Sequence, residues 1–192
     1  MSKPRILALA GSTRRDSFNR RLIAAAAEAA REAGGEVTLV ELKDYPLPLF
    51  DQDLEKDEGP PENARKLKAL FLAHDALLIA SPEYNSSISP LLKNLIDWVS
   101  RPEPGEPRLA AYQGKAASLL AASPGALGGL RGLVYLRSIL GNIGVVVLPE
   151  QFALSQAHAA FDDDGSLKDE SQHEKVAAVA RRLVEFTARH KT

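Results

Sequence analysis

Five short apolar runs constrain the fold of this chain more than any other feature of its sequence. They cover residues 6–10, 37–42, 76–80, 117–122 and 145–148. A strand with one exposed face alternates apolar and polar residues, whereas a strand covered on both faces does not, and parallel sheets are covered on both faces. Because most of these runs are nearly continuous in apolar residues, they predict five buried strands of a parallel sheet.

Amphipathic stretches lie between these runs and predict the helices that connect parallel strands. Apolar residues recur at helical spacing over 18–33, 88–99, 128–141 and 176–186. Ser89-Pro90 is typical of a helix start, with serine as the N-cap and proline in the first turn. Strands that alternate with helices predict one α/β domain over residues 1–192, with right-handed crossovers.

One segment does not fit this alternation. Residues 45–63 are polar and contain four prolines, so they predict a long loop. Long loops within compact domains are often functional. The sequence leaves two readings open: a simple surface connection, or a lid or subunit contact.

Composition excludes several classes of function. The formal net charge is −1, which argues against a nucleic-acid-binding protein, because such proteins present a strongly basic face. The chain has no cysteine, so disulfides, thiolate nucleophiles and iron–sulfur sites are excluded. The four histidines show no metal-ligand spacing, and we expect no metal site. No run reaches the length of a membrane span or a signal peptide, so we expect a cytoplasmic protein without membrane contact.

The stretch GSTRRDSFNRRL follows the first predicted strand directly and brings donors together in one loop. Strand-end loops of parallel sheets are the usual ligand sites, and the start of the next helix favours an anion. The loop has only one glycine and no P-loop lysine, so it fits neither a P-loop nor a dinucleotide fingerprint. It favours one terminal phosphate, with a plainly capped helix start as the alternative. The donors are Ser12, Thr13, Arg14, Ser17 and Asn19.

Two later stretches follow further strands in the same way: SPEYNSSISPLLKNLIDWVSR (81–101) and ASPGALGGLRGLVYLRSIL (122–140). With the first loop, they resemble the NADPH-dependent FMN reductases of flavodoxin-like fold, which include chromate reductases, quinone reductases and azoreductases. The resemblance implies a three-layer sandwich around a five-stranded parallel sheet of order 2-1-3-4-5. It also implies a homodimer or homotetramer.

The resemblance assigns roles to residues of all three stretches. It places the FMN phosphate in the loop that begins at Gly11, on Ser12, Arg14, Ser17 and Asn19. It places the flavin ring beside Pro82, Glu83, Tyr84 and Asn85, with Ser123, Gly125 and Gly128 on the opposite side. Independently, the flat ring of Tyr84 suits an aromatic wall for a flavin. Glu83 and Arg101 have an alternative role as an ion pair between subunits.

These assignments predict an oxidoreductase that takes hydride from NADPH or NADH at bound FMN. The electrons then pass to a small acceptor such as a quinone, an azo compound, chromate or free flavin, and the cofactor carries this chemistry. We therefore assign no residue as a catalytic acid or base. Two alternatives stay open: a flavodoxin-type electron carrier without NAD(P)H turnover, and a phosphoester-binding α/β domain without flavin. The near-neutral charge counts against the carrier, because such carriers are usually strongly acidic.

Overall fold

The computed structural model describes residues 2–190, which form a five-stranded parallel sheet between two layers of helices. The strands, numbered in chain order, lie in the order 2-1-3-4-5, as the resemblance implied. All five predicted apolar runs lie in or overlap these strands. The strands are β1 (Arg5–Ala10), β2 (Glu36–Val40), β3 (Ala76–Ala80), β4 (Ala116–Ala122) and β5 (Val146–Leu154).

Six α-helices connect or flank these strands within the described residues, and four of them were predicted. They are α1 (Phe18–Glu32), α2 (Gln52–Glu58), α3 (Glu62–Ala73), α4 (Pro90–Val99), α5 (Leu130–Asn142) and α6 (Glu170–His190). The helices α1 and α6 cover one face of the sheet, and α3, α4 and α5 cover the other. Within residues 2–190, no helix has the length and apolarity to cross a membrane.

The apolar runs are continuous because the strands contribute side chains to two hydrophobic cores, one on each face of the sheet. In β1, Ile6 and Ala8 point into the core under α1 and α6. Leu7 and Leu9 point into the core under the other three helices. Since successive side chains of a strand point to opposite faces, every position in the run is buried.

The edge strand β5 is longer than predicted. The sequence run ended at Leu148, because Pro149 and Glu150 follow it, but the strand continues to Leu154. The pairing of β4 with β5 shifts register between Ala117 and Leu119. Proline is tolerated at a sheet edge or an irregularity, and β5 offers both.

The prediction of a continuous loop over 45–63 is wrong, because α2 forms inside it and α3 begins at its end. Asp51 caps α2, and its Oδ1 accepts the main-chain N–H of Asp53 at 2.8 Å. This helix was not predicted, because the four prolines of the segment are typical of a loop.

The same segment packs against α4. The carbonyl of Pro48 accepts hydrogen bonds from Asn94 Nδ2 and Trp98 Nε1, both at 2.8 Å. Asn94 Oδ1 accepts the N–H of Phe50, also at 2.8 Å. In this structure the segment is therefore a packed connection.

Candidate functional site

Three loops meet at the carboxyl edge of the sheet. Loop 1 (residues 11–17) follows β1, loop 2 (81–89) follows β3 and loop 3 (123–129) follows β4. These strands are neighbours, with β1 and β3 at the point where the chain order reverses. In open α/β sheets, ligands bind at this position.

Loop 1 ends at the capped start of α1. Ser17 is 3% exposed, and its Oγ accepts the N–H of Arg20 at 3.4 Å. The other N–H groups of a first helical turn have no partner within the helix, and the helix dipole favours an anion there. At the other end of the loop, a Cβ on Gly11 would lie 3.1 Å from Leu92 Cβ, so glycine suits this close approach. Ser12 is half-buried beside it.

Three arginines near loop 1 differ in the groups that their guanidinium groups contact. Arg14 is exposed, with its guanidinium 5.4 Å from the centre of the Phe18 ring. Arg20 forms an ion pair with Glu41 at 2.8 Å and also bonds to loop carbonyls. Arg21 lies over the ring of Phe161. Arg14 therefore offers a charged group at the loop, whereas Arg20 is committed to the protein.

Asn19 lies at the site but has both ends of its amide bonded to the protein. Its Oδ1 accepts the N–H of Ala122 at 2.9 Å, and its Nδ2 donates to the carbonyl of Ala122 at 2.9 Å. The residue is 3% exposed. Asn19 thus joins α1 to the end of β4, a role that the sequence did not reveal because the two residues are far apart in the chain.

Loop 2 contains a tight turn. Tyr84 and Ser87 exchange two main-chain hydrogen bonds at 2.9 and 3.0 Å. Between them, Asn85 and Ser86 both have positive φ angles, 50° and 66°. Non-glycine residues adopt this conformation at some cost, and such strain is typical of ligand sites. The turn leaves the ring of Tyr84 about half exposed, with half-buried Pro82 at the start of the loop.

The side chain of Glu83 points toward α5. Its carboxylate accepts the main-chain N–H groups of Arg131 at 3.1 Å and Gly132 at 3.3 Å. It also pairs with the guanidinium of Arg131. A carboxylate at a helix start stabilises the helix dipole, so Glu83 fixes α5 to loop 2.

Glu83 and Arg101, which the alternative role pairs between subunits, each have a partner within the chain. Glu83 pairs with Arg131, and Arg101 Nε pairs with Glu55 Oε1 at 2.7 Å. Both charged groups are paired within the chain.

Loop 3 packs closely on β5. The N–H of Ser123 donates to the carbonyl of Leu154 at 3.1 Å, and its Oγ accepts the N–H of Gly125 at 3.2 Å. Gly128 has a φ of 62°, and a Cβ there would lie 2.7 Å from the Ala153 carbonyl carbon. Only glycine fits this position, and the loop can therefore stay close to the sheet edge. Gly125 is exposed at the surface of the loop.

Ser89 adds a link between loops that the sequence did not indicate. It was predicted as an N-cap, and its Oγ does accept the N–H of Leu92 at 3.2 Å. The same hydroxyl donates to the carbonyl of Gly11 at 2.6 Å. Asn19 joins the start of α1, which follows loop 1, to the end of β4, where loop 3 begins. Glu83 joins loop 2 to α5, the helix that follows loop 3. Ser89 thus links two loops directly, and the other two side chains link the elements that border them.

The described residues offer no alternative metal chemistry at this edge. Within residues 2–190, no group of three or more His, Cys, Asp or Glu side chains is arranged to hold a metal ion. The groups available to a ligand are hydroxyls, a guanidinium, main-chain N–H groups and one aromatic ring.

Comparison with known proteins gives consistent matches. Residues 4–159 match the family described as NADPH-dependent FMN reductase. A probable NADPH:quinone oxidoreductase of Oryza sativa subsp. japonica is 37% identical over 190 residues, which cover 96% of this chain and 89% of that protein. An NAD(P)H-dependent FMN reductase of Pseudomonas aeruginosa is 36% identical, with 90% and 89% covered. The structure of FerB, a flavoenzyme NAD(P)H:(acceptor) oxidoreductase from Paracoccus denitrificans, superposes with a TM-score of 0.81 at 32% identity, covering 98% and 99% of the two chains.

Proposed function

Because this chain belongs to the NADPH-dependent FMN reductase family, we propose that it is an NAD(P)H:quinone oxidoreductase whose FMN binds across loops 1, 2 and 3. When bound, FMN takes electrons from NAD(P)H and passes them to the acceptor, so the protein supplies binding and orientation. The observation that carries the proposal is the position of the three linked loops at the reversal point of the sheet.

The residues of loop 1 fit a terminal phosphate. The start of α1 offers main-chain N–H groups, and the hydroxyl of Ser12 and the guanidinium of Arg14 lie on the same loop. Arginine presents a planar fork of donors that matches phosphate oxygens. We assign Ser12, Arg14 and the start of α1 at Ser17 to the phosphate. We assign Asn19 to positioning, because its amide is bonded to Ala122.

Loops 2 and 3 fit a flat ring system. Tyr84 presents an exposed aromatic face, and the strained turn at Asn85 fixes where that face lies. Gly125 presents bare main chain at the exposed surface of loop 3, and Gly128 lets that loop stay close to β5. Flat aromatic ligands bind well between an aromatic side chain and open main chain. We assign Pro82, Tyr84 and Asn85 to one side of the ring and Ser123, Gly125 and Gly128 to the other, with Glu83 as the residue that holds α5 in place.

Quinones are the acceptors that the relatives favour. Several relatives are named for quinone reduction, among them a 2-hydroxy-1,4-benzoquinone reductase of Burkholderia sp. at 34% identity. An open flavin site is not selective among small oxidants, so we expect azo compounds, chromate and free flavin as further acceptors. The rates of NADPH and NADH oxidation, measured with each of these acceptors in turn, rank both the acceptors and the two donors.

An exposed apolar row on α5 supports assembly into a homodimer or homotetramer. Leu130, Val134 and Tyr135 of α5 are 41%, 60% and 53% exposed, and Leu127 of loop 3 and Tyr84 of loop 2 are exposed as well. Contiguous exposed apolar surface is typical of protein interfaces. Light scattering on the wild type and on Val134→Glu tests the assembly, since a monomeric wild type would contradict it.

The central experiment is anaerobic mixing of the purified protein with NADPH. We expect yellow protein that releases FMN on denaturation, and whose visible flavin absorbance is bleached rapidly by NADPH. Flavin that is bound but not bleached by either nicotinamide would favour the electron-carrier alternative. Protein that stays colourless and fails to bind added FMN would contradict both.

A further inference from the structure

A cavity lies at the amino edge of the sheet, at the opposite end of the strands from loops 1, 2 and 3. It has a volume of about 370 Å³ and sits below the amino ends of β3, β4 and β5, beside the last turns of α6. Leu72, Val146 and Phe186 form apolar walls. Since β4 has seven residues, this cavity is roughly 20 Å from the flavin loops.

Lys115 is the amine in the lining of this cavity. The residue is 9% exposed, and its Nζ donates to the carbonyl of His74 at 2.5 Å. A carbonyl is a neutral acceptor and does not compensate the charge of an ammonium group as a carboxylate does. The nearby carboxylate of Asp75 is bonded to the main-chain N–H and the guanidinium of Arg5, at 2.9 and 2.8 Å.

Burial, rather than the charges nearby, favours the neutral form of Lys115. Burial lowers the pKa of the ammonium group, the carboxylate of Asp75 acts in the opposite direction, and the smaller effect of Arg5 lowers the pKa again. The remaining titratable groups in the lining are His74 and His190. His74 Nε2 lies 2.8 Å from Thr38 Oγ1, so that ring faces β2. A lysine with a lowered pKa holds more of the unprotonated, nucleophilic amine at neutral pH.

Lys68 gives the comparison within the same chain. It is as buried as Lys115, with 6% exposure, but it pairs with the carboxylates of Glu106 and Glu103 and donates to the carbonyl of Arg101. Carboxylates compensate the charge of an ammonium group, whereas a carbonyl does not. Burial alone therefore does not make a lysine reactive, and the difference lies in the partners and in the adjoining cavity.

We propose that Lys115 is an acylation site, whose amine takes a small acyl group from an acyl phosphate inside the amino-edge cavity. The neutral amine attacks the acyl carbon, and an N–C amide bond forms. The bond from that carbon to the phosphate oxygen breaks, and phosphate leaves with the electron pair. The proton lost from nitrogen passes to water. The apolar walls suit the uncharged amide that results, and the reaction needs no oxidant or reductant.

The test is the rate of acetylation of individual lysines in the full-length, FMN-loaded protein. The protein is incubated with acetyl phosphate at pH 7 and pH 8, and peptides are quantified by mass spectrometry. We expect Lys115 to react at least about threefold faster than the exposed Lys175 at pH 7, since a lower pKa leaves more free amine. We expect Lys68 to react more slowly than both.

Two controls make the outcome decisive. In denaturant the three lysines should react at similar rates, because the fold causes the difference. Lys115→Arg keeps a cation at the position and should remove only the Lys115 signal, with Lys175 unchanged. A folded-state rate for Lys115 equal to or below that of Lys175 would overturn the proposal. The result is independent of NAD(P)H turnover, so it does not depend on the proposed function.

Discussion

The two edges of the sheet use buried polar groups in different ways. At the carboxyl edge, Asn19, Ser89 and Glu83 bond to the main chain of a strand end, a loop and a helix that are distant in the sequence. At the amino edge the bonded side chains are charged, as in the ion pair of Asp75 with Arg5 and the hydrogen bond from Lys115 to the carbonyl of His74. At the carboxyl edge, Ser12 Oγ makes only a local bond, to the N–H of Arg14 at 3.4 Å, and the guanidinium of Arg14 lies exposed beside the ring of Phe18.

This difference explains how a site built from loops can be rigid. Loops pack less than strands and helices, and their position must come from specific bonds. A side chain that bonds to the main chain of a loop fixes the position of that loop, independently of the loop's own side chains. The following predictions test whether the linking residues and the ligand residues at the carboxyl edge are separate sets, and whether the amino edge depends on charge pairs.

Asn19→Ala should have the largest effect on stability. It removes two hydrogen bonds at 2.9 Å and leaves the N–H and the carbonyl of Ala122 without partners in a buried setting. Unsatisfied buried groups cost 1–3 kcal/mol each, so we expect the free energy of unfolding to fall by about 3 kcal/mol. Urea denaturation followed by circular dichroism measures the change.

Asn142→Ala is the matched control for that variant. Asn142 is exposed at the end of α5, and its loss should change the free energy of unfolding by less than about 0.5 kcal/mol. If Asn19→Ala and Asn142→Ala were equally stable, Asn19 would not be a link between α1 and β4.

Arg14→Ala should weaken FMN binding while leaving stability nearly unchanged. A hydrogen bond to a charged group contributes about 1.5–3 kcal/mol, so the dissociation constant for FMN should rise by about 10- to 150-fold. Titration of the apoprotein with FMN, followed by flavin fluorescence, gives this constant. Arg21→Ala is the control, because Arg21 lies over Phe161. Equal FMN affinity in Arg14→Ala and the wild type would remove Arg14 from the phosphate site.

Ser89→Ala should lower the free energy of unfolding by about 1.5 kcal/mol. The variant loses the N-cap of α4 and the hydrogen bond to the carbonyl of Gly11. A lost N-cap alone costs about 1 kcal/mol. Ser89→Thr keeps a hydroxyl and should recover most of the loss in the same urea experiment. If the two variants lost the same amount, the hydroxyl would not be the cause.

A structural feature can be predicted from the sequence when its cause lies in neighbouring residues of the chain. The strands were predicted because burial on both faces produces a continuous apolar run, as over residues 6–10. The helix α3 was not predicted, although Ala64, Leu67 and Phe71 are its buried face, because it follows the proline-rich segment directly. The N-cap role of Ser89 is local and was predicted. Its bond to Gly11, 78 residues away, depends on how the loops meet and has no local signal.

The same reasoning applies to the site. The resemblance pointed to the three loops, and the structure brings them together at one edge. It did not show that Asn19 and Glu83 hold the loops in place, because their partners Ala122 and Arg131 lie 103 and 48 residues away in the chain. A sequence pattern names residues at a site, whereas only the contacts show which of them are committed to the fold.

The pair of Glu106 with Lys68 should give the smallest effect, and a pH dependence. The hydrogen bond from Lys68 holds the pKa of the Glu106 carboxyl below its ordinary value of 4.5. Because the folded pKa is the lower one, the stabilisation is present above pH 4.5 and is lost as the pH falls through the folded pKa. Glu106 is partly exposed, so we expect only about 0.5 kcal/mol from the pair. Unfolding in urea at pH 6 and at pH 3 should show a larger loss of stability in the wild type than in Glu106→Gln, which keeps a hydrogen-bonding group. An equal loss in both would mean that this pair on the amino side of the sheet does not contribute to the acid sensitivity of the fold.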